Sequence, residues 1–400
     1  RFWDYDQEVW KNKSVSSIYE PGSTFKAVVA GALLQEGIVA PNQPFDDPGY
    51  VMFSGKKIQN WNGASFGYVT FADVVKQSLN TGFAIFGYEL GADKLIQYAR
   101  LFGFGEPTGI ELPGEEAGIL YNPSEMVDSD IATMSIGQSI AVTPLQLITA
   151  FCAIANDGIL LRPHIVKMIK NANGTTYSET HVEEVRRTID SATDKTLVGL
   201  LEQVVAAGGG RKATVRGYRV AGKTGTAQKV SEYGYGYEEG RYIASFCGFA
   251  PVESPQIALL VVIDDPYGSF YGGQIAAPVA SRIFSQIFRY LRIEPSDAPL
   301  GIDADELGAE VGEGDASIQE LPRREIPKAE PKIETPQEQL APEAARVPNF
   351  YGKSIREAAR LANEAGISFA AEGSGFAVSQ SIGAGEIVDK GTTVKVQFNP

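Results

Sequence analysis

The sequence predicts an α+β fold, an antiparallel sheet flanked by helices, followed by a smaller β/α unit. Three observations predict it. Helical periodicity dominates up to about residue 206, three strand-like runs follow Gly217, and one amphipathic helix over 277–291 closes the series. Helices, then strands, then a helix is the order of an α+β domain rather than of alternating βα units.

Taken in order, the run Ala27 to Leu34 is apolar all round, which marks a helix buried on every side. Further helical patterns cover 71–90, 94–102, 144–156 and 194–206. Tyr218–Ala221, Tyr242–Ala250 and Ile257–Asp264 read as strands, rich in β-branched and aromatic residues. Between the first two, Ser231 to Gly240 carries a glycine at every few positions and reads as a hairpin loop. Residues 1–294 therefore form one mixed α/β unit. From 295 to 346 periodicity disappears, and Pro322, Pro327, Pro331, Pro336 and Pro342 recur among Glu, Ala and Gln. Such a segment buries too little apolar surface to offset its chain entropy and is expected to be an extended, self-repelling linker. Order is expected to return over 347–400. There Lys353–Ala365 reads as a helix with Ile355, Ala358, Ala359 and Leu361 on one side and Gly366 at its end, and 367–371, 377–381 and 392–398 read as strands.

Composition excludes several function classes. The net charge of −14 argues against a nucleic-acid partner, because phosphate binding needs clustered Lys and Arg. The charge is uneven: Ile302 to Ala344 holds 12 acidic and 4 basic residues, more than half the excess. Cys152 and Cys247 read as two buried free thiols. His164 and His181 sit in unrelated contexts, so neither a His-based metal site nor a Ser–His–Asp triad has material to draw on. Any nucleophile here must be activated by something other than histidine. No apolar run reaches the ~18 residues of a membrane span. The chain starts at Arg1 rather than Met, which reads as a fragment of a longer protein.

Three short motifs carry chemistry. Glu20-Pro21-Gly22-Ser23-Thr24-Phe25-Lys26 leads directly into the buried helix. With Ser23 opening that helix, Lys26 stands one turn on, with Cβ atoms roughly 5–6 Å apart. An amine there takes the serine proton if burial and neighbouring positive charge keep it neutral. A second Ser-x-x-Lys, Ser54 to Lys57, contains Gly55 and precedes no helical run, so it reads as a loop. The other two motifs are Ser78-Leu79-Asn80, in a helical stretch, and Lys223-Thr224-Gly225-Thr226, on the strand after Val220. At Gly225 a ligand backbone can approach closely. Each alone has a plain structural explanation as a cap, a loop or a strand end. Their co-occurrence in this order is the signature of penicillin-binding proteins and class A β-lactamases.

Residues 1–294 accordingly resemble the transpeptidase domain of class B penicillin-binding proteins, of the division and sporulation type. Tyr19 to Lys26, Ile136-Gly137-Gln138 with Val142 to Leu147, and Gly222 to Gln228 all look like that family. Residues 347–400 resemble one PASTA domain. The resemblance implies a penicillin-binding transpeptidase, serine β-lactamase-like fold with no metal or cofactor, and a peptidoglycan D,D-transpeptidase that also reacts with β-lactam antibiotics. It implies Ser23 as the nucleophile on the D-Ala-D-Ala end of a stem peptide, Lys26 as general base, and Ser78 as proton relay to the departing D-alanine with Lys223. Asn80 would hold Lys26 and the substrate amide, Thr224 and Thr226 would bind the terminal carboxylate, and the N–H groups of Ser23 and Thr226 would form the oxyanion hole. It also implies action at the extracytoplasmic face of the cell membrane, an N-terminal anchoring helix that this chain lacks, and wall-synthesis or division proteins as partners.

Two departures stand out. Leu79 replaces the Asp of Ser-Asp-Asn, which points away from class A β-lactamases. Ser381 to Gly385 lacks the proline common in that PASTA turn, which leaves ligand binding by that module open. The alternatives are a D,D-carboxypeptidase or β-lactamase on the same scaffold, a β-lactam or muropeptide sensor that does not crosslink, and a wall-binding protein with an inactive catalytic unit. Both hydrolases need a water-activating group. The acidic pair Glu115-Glu116 reads as part of a turn, with nothing to set it at the site.

Overall fold

A computed structural model of the chain describes residues 10–231, 236–296, 344–351 and 353–399. The chain divides into two compact units, Arg1–Ala316 and Ser317–Pro400. In the first, helix α1 (Lys13–Ser16) is a single turn and α2 (Lys26–Gln35) is the centre of the core. Residues 26–33 of α2 are all buried, as an apolar helix without a polar stripe requires. It packs against α4 (Asn80–Leu90), α5 (Ala92–Leu101) and α8 (Ser191–Ala207). Phe25, Phe83, Phe102 and Phe151 fill the space around it with negligible exposure.

The strands β9 (Ala221–Val230), β10 (Tyr237–Ala250) and β11 (Ile257–Asp264) form an antiparallel sheet in the order β11-β10-β9. In it Lys223 pairs with Cys247 and Gly225 with Ser245, and β9 is one of the two edge strands among the described residues. Helix α9 (Gly272–Leu291) closes one side of the sheet, burying Ala276, Ala277, Ala280, Phe284 and Phe288 against Phe246 and Ala250.

Several expectations change. The helix read over 71–90 is two helices, α3 (Phe71–Gln77) and α4, broken at Ser78. The strand expected at 218–221 starts only at Ala221, because Tyr218 turns back to bridge Val215. The loop read over 231–240 is shorter, since Tyr237–Gly240 already belongs to β10; residues 232–235 lie outside the described residues. Eight short strands before α8 form four two-stranded sheets: β1 (Pro44–Asp47) with β4 (Gly67–Thr70), β2 (Tyr50–Phe53) with β3 (Lys56–Gln59), β5 (Ile159–Leu161) with β8 (Glu184–Arg187), and β6 (Met168–Lys170) with β7 (Thr176–Glu179). At three or four residues each, they are too short to show a period. Cys152 is exposed rather than buried, on the outer face of α7 (Pro144–Ala155), whereas Cys247 is buried on β10. Glu115 accepts hydrogen bonds from Thr108 and Gly109, a turn-fastening role that occupies both its oxygens.

The second unit has helix α10 (Ile355–Ala365) against β13 (Ser368–Gly373), β16 (Thr393–Asn399) and β14 (Phe376–Gln380). Strands β13 and β16 are parallel, and β14 and β16 antiparallel. The alternation along β16 sends Val394, Val396 and Phe398 into a core with Phe350, Ala358 and Ala362. Ile355, expected on the apolar face, is exposed at the helix start. Gly366 follows the helix in the left-handed region, at φ 72°. A strand before Val347, β12 (Ala344–Arg346), pairs with β15 (Ile387–Asp389). Most of the segment read as a linker, 297–343, lies outside the described residues.

One contact of the first unit fixes the chain just before Ser23. Gly22 N–H donates to the carbonyl of Gly137 at 2.9 Å. Gly137 has φ 80°, and a Cβ there would stand 1.9 Å from the Gly22 carbonyl oxygen. Only glycine tolerates both conditions. Gly137→Ala is expected to lower unfolding stability by about 2 kcal/mol or more, read from urea or thermal unfolding; an unchanged midpoint would contradict this account of the loop.

Candidate active site

The segment before Ser23 is pinned at both ends. Tyr19 exchanges two backbone hydrogen bonds with Val142, at 3.0 and 2.9 Å, and Gly22 is held by Gly137. The helix does not extend back to Pro21, whose carbonyl accepts from Thr24 Oγ1 at 2.7 Å. The chain instead makes a 3₁₀ turn over Gly22–Thr24, closed by Phe25 N–H to Gly22 O at 3.0 Å, and α2 starts at Lys26. Ser23 thus precedes the α-helix rather than opening it. Three residues per turn eclipse i and i+3, so Ser23 and Lys26 still face the same side. Ser23 is half-buried, while Lys26 is completely buried.

The break between α3 and α4 supplies the second wall. Ser78 adopts φ 58°, ψ 43°, a left-handed conformation that costs a non-glycine residue about 1–2 kcal/mol. Leu79 then buries its side chain, and Asn80 starts the next helix. The reversal turns both the carbonyl and the hydroxyl of Ser78 toward Lys26. Lys26 Nζ lies 2.9 Å from Ser78 O, 3.2 Å from Ser78 Oγ and 2.6 Å from Asn80 Oδ1. The ring of Phe83 lies 5.1 Å away.

The third wall is β9. Lys223 is buried, and its Nζ donates to Ser78 Oγ at 2.8 Å and to Thr224 O at 3.3 Å. Gly225 lets this strand meet the nucleophile turn. A Cβ there would sit 2.4 Å from Ser245 Oγ, 2.9 Å from Pro21 O and 3.0 Å from Thr24 Cγ2. Thr224 and Thr226 alternate onto the half-exposed face of the strand. Thr226 Oγ1 accepts from Gly272 N–H at the start of α9, at 3.0 Å, which leaves its proton for an acceptor such as a carboxylate.

Burial first, and the neighbouring Lys223 second, hold the Lys26 amine well below the ordinary lysine range. Burial lowers Lys223 to about 7. A neutral Lys26 has two N–H groups and one lone pair. Ser78 O and Asn80 Oδ1 can take the two N–H groups, which leaves the lone pair on the side of Ser78 Oγ, 3.2 Å away.

The structure thus brings Lys26, Ser78, Asn80 and Lys223 into one hydrogen-bonded cluster beside the turn that carries Ser23. Among the described residues Ser23 Oγ has no hydrogen bond to Lys26, and the hydroxyls of Thr224 and Thr226 stay outside the cluster. The second Ser-x-x-Lys is an exposed turn between β2 and β3, as its glycine suggested.

Other residues at the site gave no readable signal. Asn80 Nδ2 donates to the backbone carbonyl of Gln59 at 2.8 Å, a contact independent of side-chain type. Glu20 accepts from Ser139 N–H at 2.9 Å and Tyr237 OH at 3.3 Å, and burial raises its pKa against the opposing pull of these hydrogen bonds. The Trp61 and Tyr271 rings meet edge to face, 6.3 Å apart, across 210 positions of sequence. A separate cavity of about 300 Å³, lined by Phe102, Gln146, Leu160 and Arg186 among others, contains none of the motif residues.

Known proteins share this arrangement of sequence and fold. The penicillin binding protein transpeptidase domain matches residues 3–285, and the PASTA domain matches 345–400. Stage V sporulation protein D of Bacillus subtilis is 39% identical over 288 residues, covering 71% of this chain and 44% of that protein. Peptidoglycan D,D-transpeptidase FtsI of Escherichia coli K12 is 33% identical over 310 residues, covering 77% of this chain and 50% of that protein. The chain therefore spans about half the length of these curated relatives. The crystal structure of penicillin binding protein 3 from Mycobacterium tuberculosis, complexed with aztreonam, superposes with a TM-score of 0.67 at 31% identity. That match covers 72% of this chain and 66% of that one. A three-stranded antiparallel sheet, a buried lysine pair sharing one serine, and matches over most of the first unit agree: the chain belongs to the penicillin-binding protein transpeptidase family and carries a PASTA domain at its C-terminal end.

Proposed function

We propose that this chain is the catalytic part of a peptidoglycan D,D-transpeptidase, working through an acyl-enzyme on Ser23. The observation that carries the reading is the convergence of two buried amines, Lys26 and Lys223, on one hydroxyl, Ser78 Oγ, beside the Ser23 turn. The names of the relatives support the substrate class, a stem peptide ending in D-Ala-D-Ala. This reading sets the site of action at the outer face of the bacterial cell membrane, where the wall polymer lies.

Neutral Lys26 takes the Ser23 hydroxyl proton as Ser23 Oγ bonds to the carbonyl carbon between the two D-alanines. The negative charge that develops on the carbonyl oxygen is met by the N–H groups of Ser23 and Thr226, where losing one donor typically costs ~2.7–4 kcal/mol. The C–N bond then breaks. Protonated Lys223 supplies a proton through Ser78 Oγ to the leaving amine of D-alanine. Thr224 and Thr226 hold the terminal carboxylate. An amine from a neighbouring stem peptide next attacks the ester and passes its proton through Ser78 Oγ to Lys223, while Lys26 returns its proton to Ser23 Oγ as the ester bond breaks and the crosslink forms. A β-lactam presents the same carbonyl, but its ring-opened amine remains tethered, so the ester persists.

The D,D-carboxypeptidase and β-lactamase readings require water activated at the ester. Glu115, the acidic candidate in the sequence, has its oxygens engaged at Thr108 and Gly109. That favours a long-lived acyl-enzyme.

Penicillin is expected to add one adduct per chain, mapped to Ser23 by mass spectrometry and absent in Ser23→Ala. Stoichiometric labelling of Ser23→Ala would overturn the assignment, and product analysis with donor and acceptor peptides separates transfer from hydrolysis or simple capture. Lys26→Arg retains the charge but supplies no neutral amine, so its acylation rate should fall at least ~100-fold, the lower end of general-base contributions, with the circular dichroism spectrum unchanged.

The acylation rate is also expected to be bell-shaped in pH. Lys26 must be neutral, so rate is gained as pH rises through its depressed pKa. Lys223 must be protonated, so rate is lost as pH rises through about 7. A profile flat between about pH 6 and 9 would contradict these two roles.

A further inference from the structure

One layer behind the lysine cluster lies a buried carboxylate, Asp47, at the end of β1 (Pro44–Asp47) and 1% exposed. Four donors converge on it. Gly49 N–H at 3.1 Å and Thr81 Oγ1 at 2.6 Å donate to Oδ1, and Asn60 Nδ2 and Phe66 N–H, both at 2.7 Å, donate to Oδ2. Among the described residues Asp47 has no ion-pair partner. A buried charge of this kind persists only because its hydrogen bonds replace water. The donors come from three places, the turn after β1, the segment between β3 and β4, and the first turn of α4, so the carboxylate is the tie between them.

Two of those places control Asn80. Asn60 is 1% exposed, and its N–H donates to Gly49 O at 3.1 Å. The carbonyl of the same peptide unit is Gln59 O, which accepts from Asn80 Nδ2 at 2.8 Å. Thr81 follows Asn80 directly, and its N–H reaches Asn60 Oδ1 at 3.4 Å. The side-chain amide of Asn80 is thereby fixed with its nitrogen on Gln59 and its oxygen 2.6 Å from Lys26 Nζ. Turned over, that amide would present N–H groups to the amine and compete for its lone pair.

We infer that Asp47 is a positioning residue for acylation: through Asn60, Thr81 and the Gln59 carbonyl it sets the Asn80 amide that orients the Lys26 amine. The inference rests on the reading of Lys26 as the base for Ser23. Asp47 touches no reacting atom. Its effect on the reaction must therefore pass through Asn80, which separates it from a residue that only stabilises the fold.

The test is a double-mutant cycle on the whole chain. Asp47→Asn, Asn80→Ala and the double variant are compared with wild type for the acylation rate constant at saturating penicillin, the pre-covalent dissociation constant and the unfolding midpoint. Asp47→Asn is expected to slow acylation about tenfold or more while changing the pre-covalent constant less than about threefold. The double variant should be no slower than Asn80→Ala alone. Losses that multiply, or a rate that falls only with the folded fraction, would overturn the inference. If Asp47→Asn does not fold, Thr81→Val, which removes one donor at nearly constant volume, carries the same cycle with the same criteria. Wild-type protein that takes no label at Ser23 overturns the acyl-enzyme reading and this inference with it; labelled wild type with multiplying losses overturns the inference alone.

Discussion

Two buried lysine amines meet at one half-buried serine hydroxyl, and the site depends on that arrangement. Lys26 and Lys223 both lie within hydrogen-bond distance of Ser78 Oγ, and both are fully buried. Two ammonium groups so close, both desolvated, cannot both keep their charge cheaply. Burial first and the Lys223 charge second hold the Lys26 amine well below the ordinary lysine range, and burial brings Lys223 to about 7. One buried environment thereby lowers the pKa of two side chains of the same type. Such a site lowers stability. The unfolded chain binds a proton on each lysine up to about pH 10.4, whereas the folded chain releases them earlier. The penalty is full at low pH and is relieved as pH rises from the depressed values toward 10.4.

The surrounding fold bears the strain that this arrangement needs. Ser78 stands in a left-handed conformation, Gly137 and Gly22 take positive φ, and Gly225 makes room for the nucleophile turn. These irregular positions sit on rigid supports: an all-buried helix, a three-stranded sheet and the carboxylate of Asp47 with its four donors. Reactive groups held by packed elements keep their geometry without the entropy of ordering a loop at each turnover.

Much of this was legible in the sequence. The all-apolar run after Lys26 announced the buried helix, and the three motifs named five of the residues at the site. The scarcity of histidine left any nucleophile to be activated by something else. The misses have physical reasons. The break at Ser78 was hidden because Phe71 to Leu90 keeps its helical period through it, and the left-handed residue is held by tertiary hydrogen bonds from Lys26 and Lys223 as well as by the local ones that close α3, Ser78 N–H to Val75 O at 3.2 Å and Leu79 N–H to Val74 O at 3.0 Å. Pro21 and Gly22 tightened the start of α2 into a 3₁₀ turn, a difference smaller than a propensity argument resolves. Cys152 looked buried because its neighbours are apolar, yet it falls on the outer face of α7. Gln59 contributes a backbone carbonyl, and Asp47 acts through a fold of the chain that joins residues 34 positions apart, so neither leaves a local pattern.

The account stands on the charge state of Lys26. The most direct measurement is an NMR titration of the Lys26 side chain in protein labelled at the lysine ε position, assigned by comparison with Lys26→Arg. A Lys26 resonance that titrates well below pH 10, before any change in the bulk lysine signals, is the result this account predicts. A resonance that stays protonated until about pH 10.4 alongside the surface lysines would contradict it, because Ser23 would then have no base beside it at neutral pH.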